Sequence, residues 1–416
     1  MGKLASYSRL VATILIITLI GAITSPVLSV RAADDVQVRE ARVEYTFGEN
    51  LTFSAKLLSA IPPKEASLFY QEEGQANTQV EVVTIAPQGE MSLTLDLSQK
   101  PLRPFVEVTY WYRVALQNGG IFTSPQFTFI YEDNRFPWQT LESPSFRLHW
   151  YVGDTLFAQR ALNVAQAGLQ KSRNYLSVPP LESIDIYVYD NAQAMQAALL
   201  LSGQKWIVGH AFPEWGVILV SLPRGPEQNL EMERQIPHEL MHIILYQVVG
   251  QNYAKIPAWL NEGLASATEL YPNPDYDVLL LDAYRKNTLL PLASLCQIFP
   301  REAASVLLAY AEATSFTWYL YGQFGASGLE KLVGQYANGV DCERGSVQAL
   351  GSSLSQLETR WRREVFGENT WLNGLEKLLP WLVLLITILA PTAIVTMRAV
   401  MRFSNRNRNA IFKSQP

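Results

Sequence analysis

Histidine and cysteine are both scarce in this chain, with four of the first and two of the second among 416 residues. Neither Cys296 nor Cys342 belongs to a C-x-x-C pair, which argues against a metal site built from thiolates. A strong charge of either sign is also missing. The net charge of −5 offers no basic field for nucleic acid, and there is no strongly acidic block. What is abundant is apolar: 48% hydrophobic against 17% charged residues fits a folded protein with membrane segments, not a disordered one. At this length two domains and additional segments are expected.

Two of the few histidines fall together in His238-Glu239-Leu240-Met241-His242. Four residues apart on a helix, both imidazoles lie on one face and reach one metal ion. Glu239 follows the first histidine, and a rotation of about 100° per residue carries its carboxylate beside that ion, where it can take a proton from an activated water. This is the H-E-x-x-H arrangement of a zinc hydrolase, and it still needs a third protein ligand. The host helix is expected over about 230–249, apolar at Ile236, Leu240, Met241, Ile243, Ile244 and Val248, with Gly250 as its stop. Pro237 either kinks it or marks its true first turn. Further on, Pro257 starts a second helix that carries Glu262, nineteen residues separating it from His242. A connection of that length folds the second helix back. Glu262 then completes a His-His-Glu set whose fourth position stays open, the catalytic type of zinc site. Read alone, Glu262 could be a surface carboxylate; the upstream motif and the flanking Trp-Leu-Asn and Gly-Leu-Ala favour the ligand.

Residues 1–33 have the form of a signal peptide or an uncleaved N-terminal anchor. Lys3 and Arg9 precede an apolar run over 10–23, and Val30-Arg31-Ala32 offers small residues for cleavage. At the other end, 378–397 is uncharged over a length that crosses a bilayer. The tail 398–416 carries Arg398, Arg402, Arg406, Arg408 and Lys413 with no acidic residue, so the positive-inside rule places it in the cytoplasm. The expected location is therefore the cell membrane, with the body of the chain on the extracytoplasmic side. In that compartment Cys296 and Cys342 are a disulfide candidate; the alternative is two unrelated buried thiols.

Between the ends the periodicity changes once. Over 34–135 there are seven runs of two-residue alternation (36–47, 51–58, 67–71, 79–85, 91–97, 106–116 and 121–131) separated by turn residues, as a β-sandwich requires. Residues 133–144, with Pro137 and Pro144, suggest a linker. Over 144–368 helices join in. The expected order is a strand at 145–151, a helix over 155–176 capped by Asp154, a strand at 184–189, a helix from Asn191, and a short strand from Gly216. If that last strand is a sheet edge, Gly216, Val217, Ile218 and Leu219 hold an extended peptide above the metal; otherwise it is an ordinary core strand.

His238–His242 together with Trp259-Leu-Asn-Glu-Gly-Leu-Ala265 resembles the gluzincin metallopeptidases, in particular the thermolysin-like, peptidase MA-like domains of bacterial envelope proteins. The likeness extends over about 145–364 and includes Ala309-Tyr310-Ala311 and a closing helix over 349–361. The resemblance implies one Zn²⁺ per chain, an α+β upper lobe and a helical lower lobe with the cleft between them. It also implies a donor for the developing oxyanion, for which Tyr310 stands in position, although a core tyrosine on an apolar helix fits as well. Two departures stand out. Thermolysin has an aspartate four residues after its glutamate ligand, where this chain has Ser266. The aminopeptidase Gly-x-Met-Glu-Asn stretch is replaced by Gly216-Val-Ile-Leu-Val, which disfavours aminopeptidase action and makes endopeptidase action the default. Asn261 is the candidate for orienting a ligand through a hydrogen bond. His210 either lines the cleft or is a plain loop histidine, and His149 has no constellation around it. The 34–135 module loosely resembles immunoglobulin or fibronectin type III domains in its late strands.

The expectation is therefore a membrane-anchored, extracytoplasmic zinc peptidase with peptide or protein substrates and no nucleic-acid partner; the sequence leaves the oligomeric state open. Two alternatives remain: a non-peptidase zinc hydrolase on the same scaffold, or an envelope adhesion or scaffold protein with a vestigial metal domain.

Overall fold

A computed structural model describes residues 36–181, 183–199, 209–300, 302–367 and 378–390. The expected leader at 1–33 and the basic tail at 398–416 lie outside the described residues. The chain divides into two compact units after Phe136.

The first unit is all β, in eight antiparallel strands: β1 (Val36–Thr46), β2 (Asn50–Ser59), β3 (Pro63–Glu72), β4 (Gln79–Ile85), β5 (Glu90–Asp96), β6 (Glu107–Leu116), β7 (Ile121–Thr123) and β8 (Phe127–Ile130). The sequence predicts two separate sheets of a sandwich. Instead there is one sheet in the order β1-β2-β5-β4-β3-β6-β7, with β8 also on β6. The reason lies in β4. Its 79–83 stretch pairs with β3, while Thr84 and Ile85 pair with Ser92 and Met91 of β5, so one strand bridges both halves. The sheet curls over its apolar face. β2 and β6 are four steps apart, about 19 Å in a flat sheet at ~4.8 Å per strand, yet the rings of Phe53 and Tyr110 are 5.0 Å apart.

The second unit opens with β9 (Gln139–Glu142), formed by residues expected as linker. It pairs antiparallel with β10 (Phe146–Trp150), which runs parallel to β11 (Ile184–Tyr189). β11 is parallel to β13 (Val217–Ser221), and β12 (Gly209–Phe212) closes the sheet antiparallel to β13. The order is β12-β13-β11-β10-β9. Helix α1 (Thr155–Ser172) starts at Asp154, whose carboxylate accepts from the Phe157 amide. Helix α2 (Ala192–Ala198) starts in the same way at Asn191. The motif-bearing α3 (Gln228–Val249) is followed by α4 (Ala258–Thr268), α5 (Asp275–Lys286), α6 (Ala303–Ala337), α7 (Cys342–Leu350) and α8 (Leu354–Phe366). Helix α6 breaks at Gly325, where φ is +65°. Its first half packs against α4 so closely that a Cβ at Gly263 would stand 2.2 Å from Thr317 Oγ1 and 2.6 Å from the Ala313 carbonyl. Trp259, Phe316 and Trp361 stack edge to face at the centre of this helical half.

Cys296 and Cys342 form a disulfide. The Cys296 carbonyl also accepts the Ala258 amide at 3.0 Å, which fixes the first residue of α4.

The expected membrane span at 378–397 is not supported. Among the described residues no helix is long and apolar enough to cross a membrane. Helical residues 378–390 rise about 20 Å at 1.5 Å each, short of a hydrocarbon core of about 30 Å. The remainder, 391–397, lies outside the described residues. The membrane anchor, and the membrane as a partner, are corrected accordingly.

Candidate metal centre

Helix α3 carries His238 and His242 one turn apart, with ring centroids 5.1 Å from each other. Pro237 sits inside the helix, not at its start. It has no N–H to give the carbonyl four residues back. That carbonyl, of Glu233, is instead met by the Leu270 amide at 2.9 Å, and the Pro237 carbonyl accepts the Thr268 hydroxyl at 3.2 Å. The end of α4 is thereby stitched to α3 beside His238. Helix α1 lies close on the other side, where a Cβ at Gly168 would stand 2.9 Å from Pro237 Cβ.

The stitch brings Glu269 to His238. The His238 Nδ1 donates to Glu269 Oε1 at 3.1 Å, with the Ser266 hydroxyl a more distant 3.4 Å away. His242 Nδ1 donates to Asn261 Oδ1 at 3.0 Å, and the Tyr253 hydroxyl closes a triangle with both. With each Nδ1 engaged in donation, the neutral form of each imidazole presents a lone pair at Nε2. Both Nε2 atoms face Glu262 Oε2, at 3.4 Å from His238 and 3.7 Å from His242. The ligand atoms of the three residues all lie within 4.8 Å of one another. Glu262 Oε2 is buried and has no hydrogen-bond partner among the described residues. Two imidazole nitrogens and an unpartnered carboxylate oxygen, converging and oriented from behind, fit a divalent metal of the zinc type.

The buried carboxylates and imidazoles also shift one another's ionisation. Burial works against an imidazolium at His238, but the Glu262 and Glu269 carboxylates outweigh it and hold its pKa well above the usual range. Burial would raise the Glu262 carboxyl, yet the His242 and His238 charges bring it below its ordinary value. Glu239, almost fully buried, is raised by burial, against the pull of the two histidines. It stands directly against β12, where a Cβ at Gly209 would lie 2.5 Å from Glu239 Oε1. Tyr310 reaches the site from α6, its ring 6.0 Å from that of His238; burial and the Glu262 and Glu239 charges push its pKa well up.

The structure thus brings His238, Glu239, His242, Asn261, Glu262 and Tyr310 together. It does not bring Gly216, Val217, Ile218 and Leu219 to a free edge. β13 is flanked by β11 and β12 and buried along its whole length, and Gly216 is the left-handed residue just before it. Among the described residues β12 is the edge strand on that side of the sheet, and His210 lies on it, its imidazole lowered to about 4 by burial and the nearby His242. His149 is elsewhere, bonded to Asp185 and stacked on Tyr187. Sequence reasoning missed Glu269 and Tyr253. Glu269 carried a signal, since it lies seven residues after Glu262 and hence on the same helix face; Tyr253, on a 3-10 turn over Gly250–Lys255, carried none.

Residues 164–367 match the model of the Peptidase MA superfamily, which supports a peptidase MA-like domain over that stretch. No curated protein matches the chain. Among solved structures, a myokine is 11% identical, covering 24% of this chain and 98% of its own, with a TM-score of 0.20. A family 56 carbohydrate-binding module, described as a β-1,3-glucan-binding domain, is 16% identical over 21% of this chain and 94% of its own, with a TM-score of 0.16. The sensor domain of an anti-sigma factor of Pseudobacteroides cellulosolvens is 17% identical over 24% of this chain and 98% of its own, with a TM-score of 0.19. Likenesses at this level say nothing of this chain's ligands.

Proposed function

We propose that the second unit is a zinc-dependent peptidase, an endopeptidase acting on extended stretches of protein substrates. One observation carries the reading: His238 Nε2, His242 Nε2 and the unpartnered Glu262 oxygen converge, with the Glu239 carboxylate on the same helix beside them. The match to peptidase MA-like sequences supports the same class of reaction.

His238, His242 and Glu262 would hold one zinc ion. When bound, it supplies Lewis acidity, polarising a carbonyl and acidifying water. The chain does the rest. Glu239 accepts the proton of the attacking water and returns it to the leaving amine, a role suited to a carboxylate whose proton affinity burial has raised. Glu269 and Asn261 keep the two imidazoles in the tautomer that leaves Nε2 free. Tyr310 is a neutral hydroxyl donor for the negative charge that develops on the carbonyl oxygen. Among the described residues β12 pairs with β13 alone, and its other side is where an extended peptide would pair, next to Glu239. An oxidising, extracytoplasmic compartment is part of the proposal, supported by the Cys296–Cys342 disulfide.

The test uses the full chain: metal content by elemental analysis, and cleavage of an unfolded protein by wild type and Glu239→Gln. One zinc in both, with cleavage reduced at least about a hundredfold in the variant, is the expected result. A wild-type chain without metal, or cleavage that survives the substitution, would overturn it.

A further inference from the structure

Helix α1 gives no ligand to the metal centre, yet its last turn reaches the partner of one. Gly168 lets α1 lie against Pro237 of α3. Lys171, three residues on, shares that face of the helix. Its ammonium donates to the main-chain carbonyl of Glu269, 98 residues away in sequence. Glu269 follows α4 directly, and at φ −52° and ψ 131° it leaves the helical conformation.

The same short segment is held from α3 as well. The Leu270 amide donates to the Glu233 carbonyl at 2.9 Å, and the Thr268 hydroxyl to the Pro237 carbonyl at 3.2 Å. Glu269 is thus tied to α3 through its two neighbours and to α1 through its own carbonyl. The side chain so placed is only 2% exposed. Oε1 accepts from His238 Nδ1 at 3.1 Å, while Oε2 is buried with no hydrogen-bond partner among the described residues. A buried carboxylate with one oxygen bare depends on positive charge nearby. Lys171 supplies such a charge: burial lowers its pKa and the Glu269 carboxylate works against that, so the two groups sense each other.

We propose that Lys171 is a positioning residue of the metal centre. It fixes the Glu269 main chain and offsets the Glu269 charge, and through that carboxylate it sets the orientation and basicity of His238. The inference rests on the zinc reading and adds a determinant of metal affinity outside the ligands and their direct partners. A methionine at this position would keep the packing of the stem and lose both the donor and the charge. Glu269 is then free to turn from His238, and the imidazole loses its anionic partner.

The experiment uses the full chain, with zinc affinity measured by competition against a chromophoric chelator. Four proteins form a cycle: wild type, Lys171→Met, Glu269→Ala and the double variant. Lys171→Met should weaken zinc binding by about tenfold, the lower end of what loss of an outer partner costs. In the Glu269→Ala background the same substitution should change nothing further, because the residue it acts through is gone. A second readout separates positioning from loosened packing. In the zinc-loaded chain the Nδ1–H proton resonance of His238 should shift in Lys171→Met, while that of His242, held by Asn261, stays in place. Lys171→Gln, one bond too short to reach the carbonyl, should repeat both results and serves if the methionine variant does not fold. Unchanged affinity, equal losses in both backgrounds, or both histidine resonances moving together would overturn the inference and leave the peptidase reading standing. A wild-type chain that binds no zinc would overturn both.

Discussion

Each motif histidine commits one ring nitrogen to the protein and keeps the other free, and the two partners that enforce this are unlike. His242 leans on a neutral amide, Asn261, whereas His238 leans on a buried carboxylate, Glu269. The carboxylate raises the basicity of the imidazole it holds, so its removal is the more damaging. Glu269→Ala should weaken zinc binding by roughly 10- to 100-fold, read by competition with a chromophoric chelator. Ser266→Ala, which removes only a contact at 3.4 Å, should change it little. Equal affinities for wild type and Glu269→Ala would show that the contact does not tune the metal. The ligand set was legible because its spacing is local: i and i+4 on one helix, and a carboxylate on the next. Glu269 was legible only by its spacing from Glu262, because the position where thermolysin has an aspartate holds Ser266. The chain meets the same need one turn later, where α4 ends.

At the scale of elements, two short strands show where pattern reading failed. Val217–Ser221 is apolar up to its last residue, the signature of a strand buried on both faces, and it lies inside the sheet as that signature implies. The edge on that side of the described sheet, Gly209–Phe212, is four residues of mixed character with too little alternation to register as a strand. Gly209 is there because the Glu239 carboxylate fills the space a side chain would need. Gly209→Ala should therefore displace the base and reduce kcat by about 10²-fold or more while zinc content stays at the wild-type level. Retained kcat would mean that Glu239 does not act from the position it occupies. Pro237 was ambiguous in the sequence for a related reason. An interior proline is normally a fault, and only the Leu270 amide, more than thirty residues on, reveals that the freed carbonyl is used.

At the scale of the whole molecule, local pattern identified strands, helices and their order better than it identified how they close. Alternation found the N-terminal strands, but nothing in it foretold that β4 would bridge the two halves of one sheet. Hydropathy suggested a membrane span that the described helix at 378–390 does not provide. Nor did the sequence flag Glu312, fully buried on α6, as a group that ties stability to pH. Burial raises its pKa to about 8, helped by Glu358 and opposed by the Leu290 amide and Arg362. With an ordinary value of 4.5, the unfolded chain releases this proton while the folded chain still holds it. Stability from this group is thus full below about 4.5, falls as pH rises towards 8, and is level above that. Glu312→Gln should flatten this slope, by an amount on the order of a few kcal/mol, seen in urea midpoints at pH 5 and pH 8. Parallel pH dependences would refute it. The disulfide has a consequence of another kind. Its 46-residue separation encloses the whole of α6, so a mechanical pull along the backbone passes from Cys296 to Cys342 through sulfur. The helix that presents Tyr310 to the site is then outside the line of force.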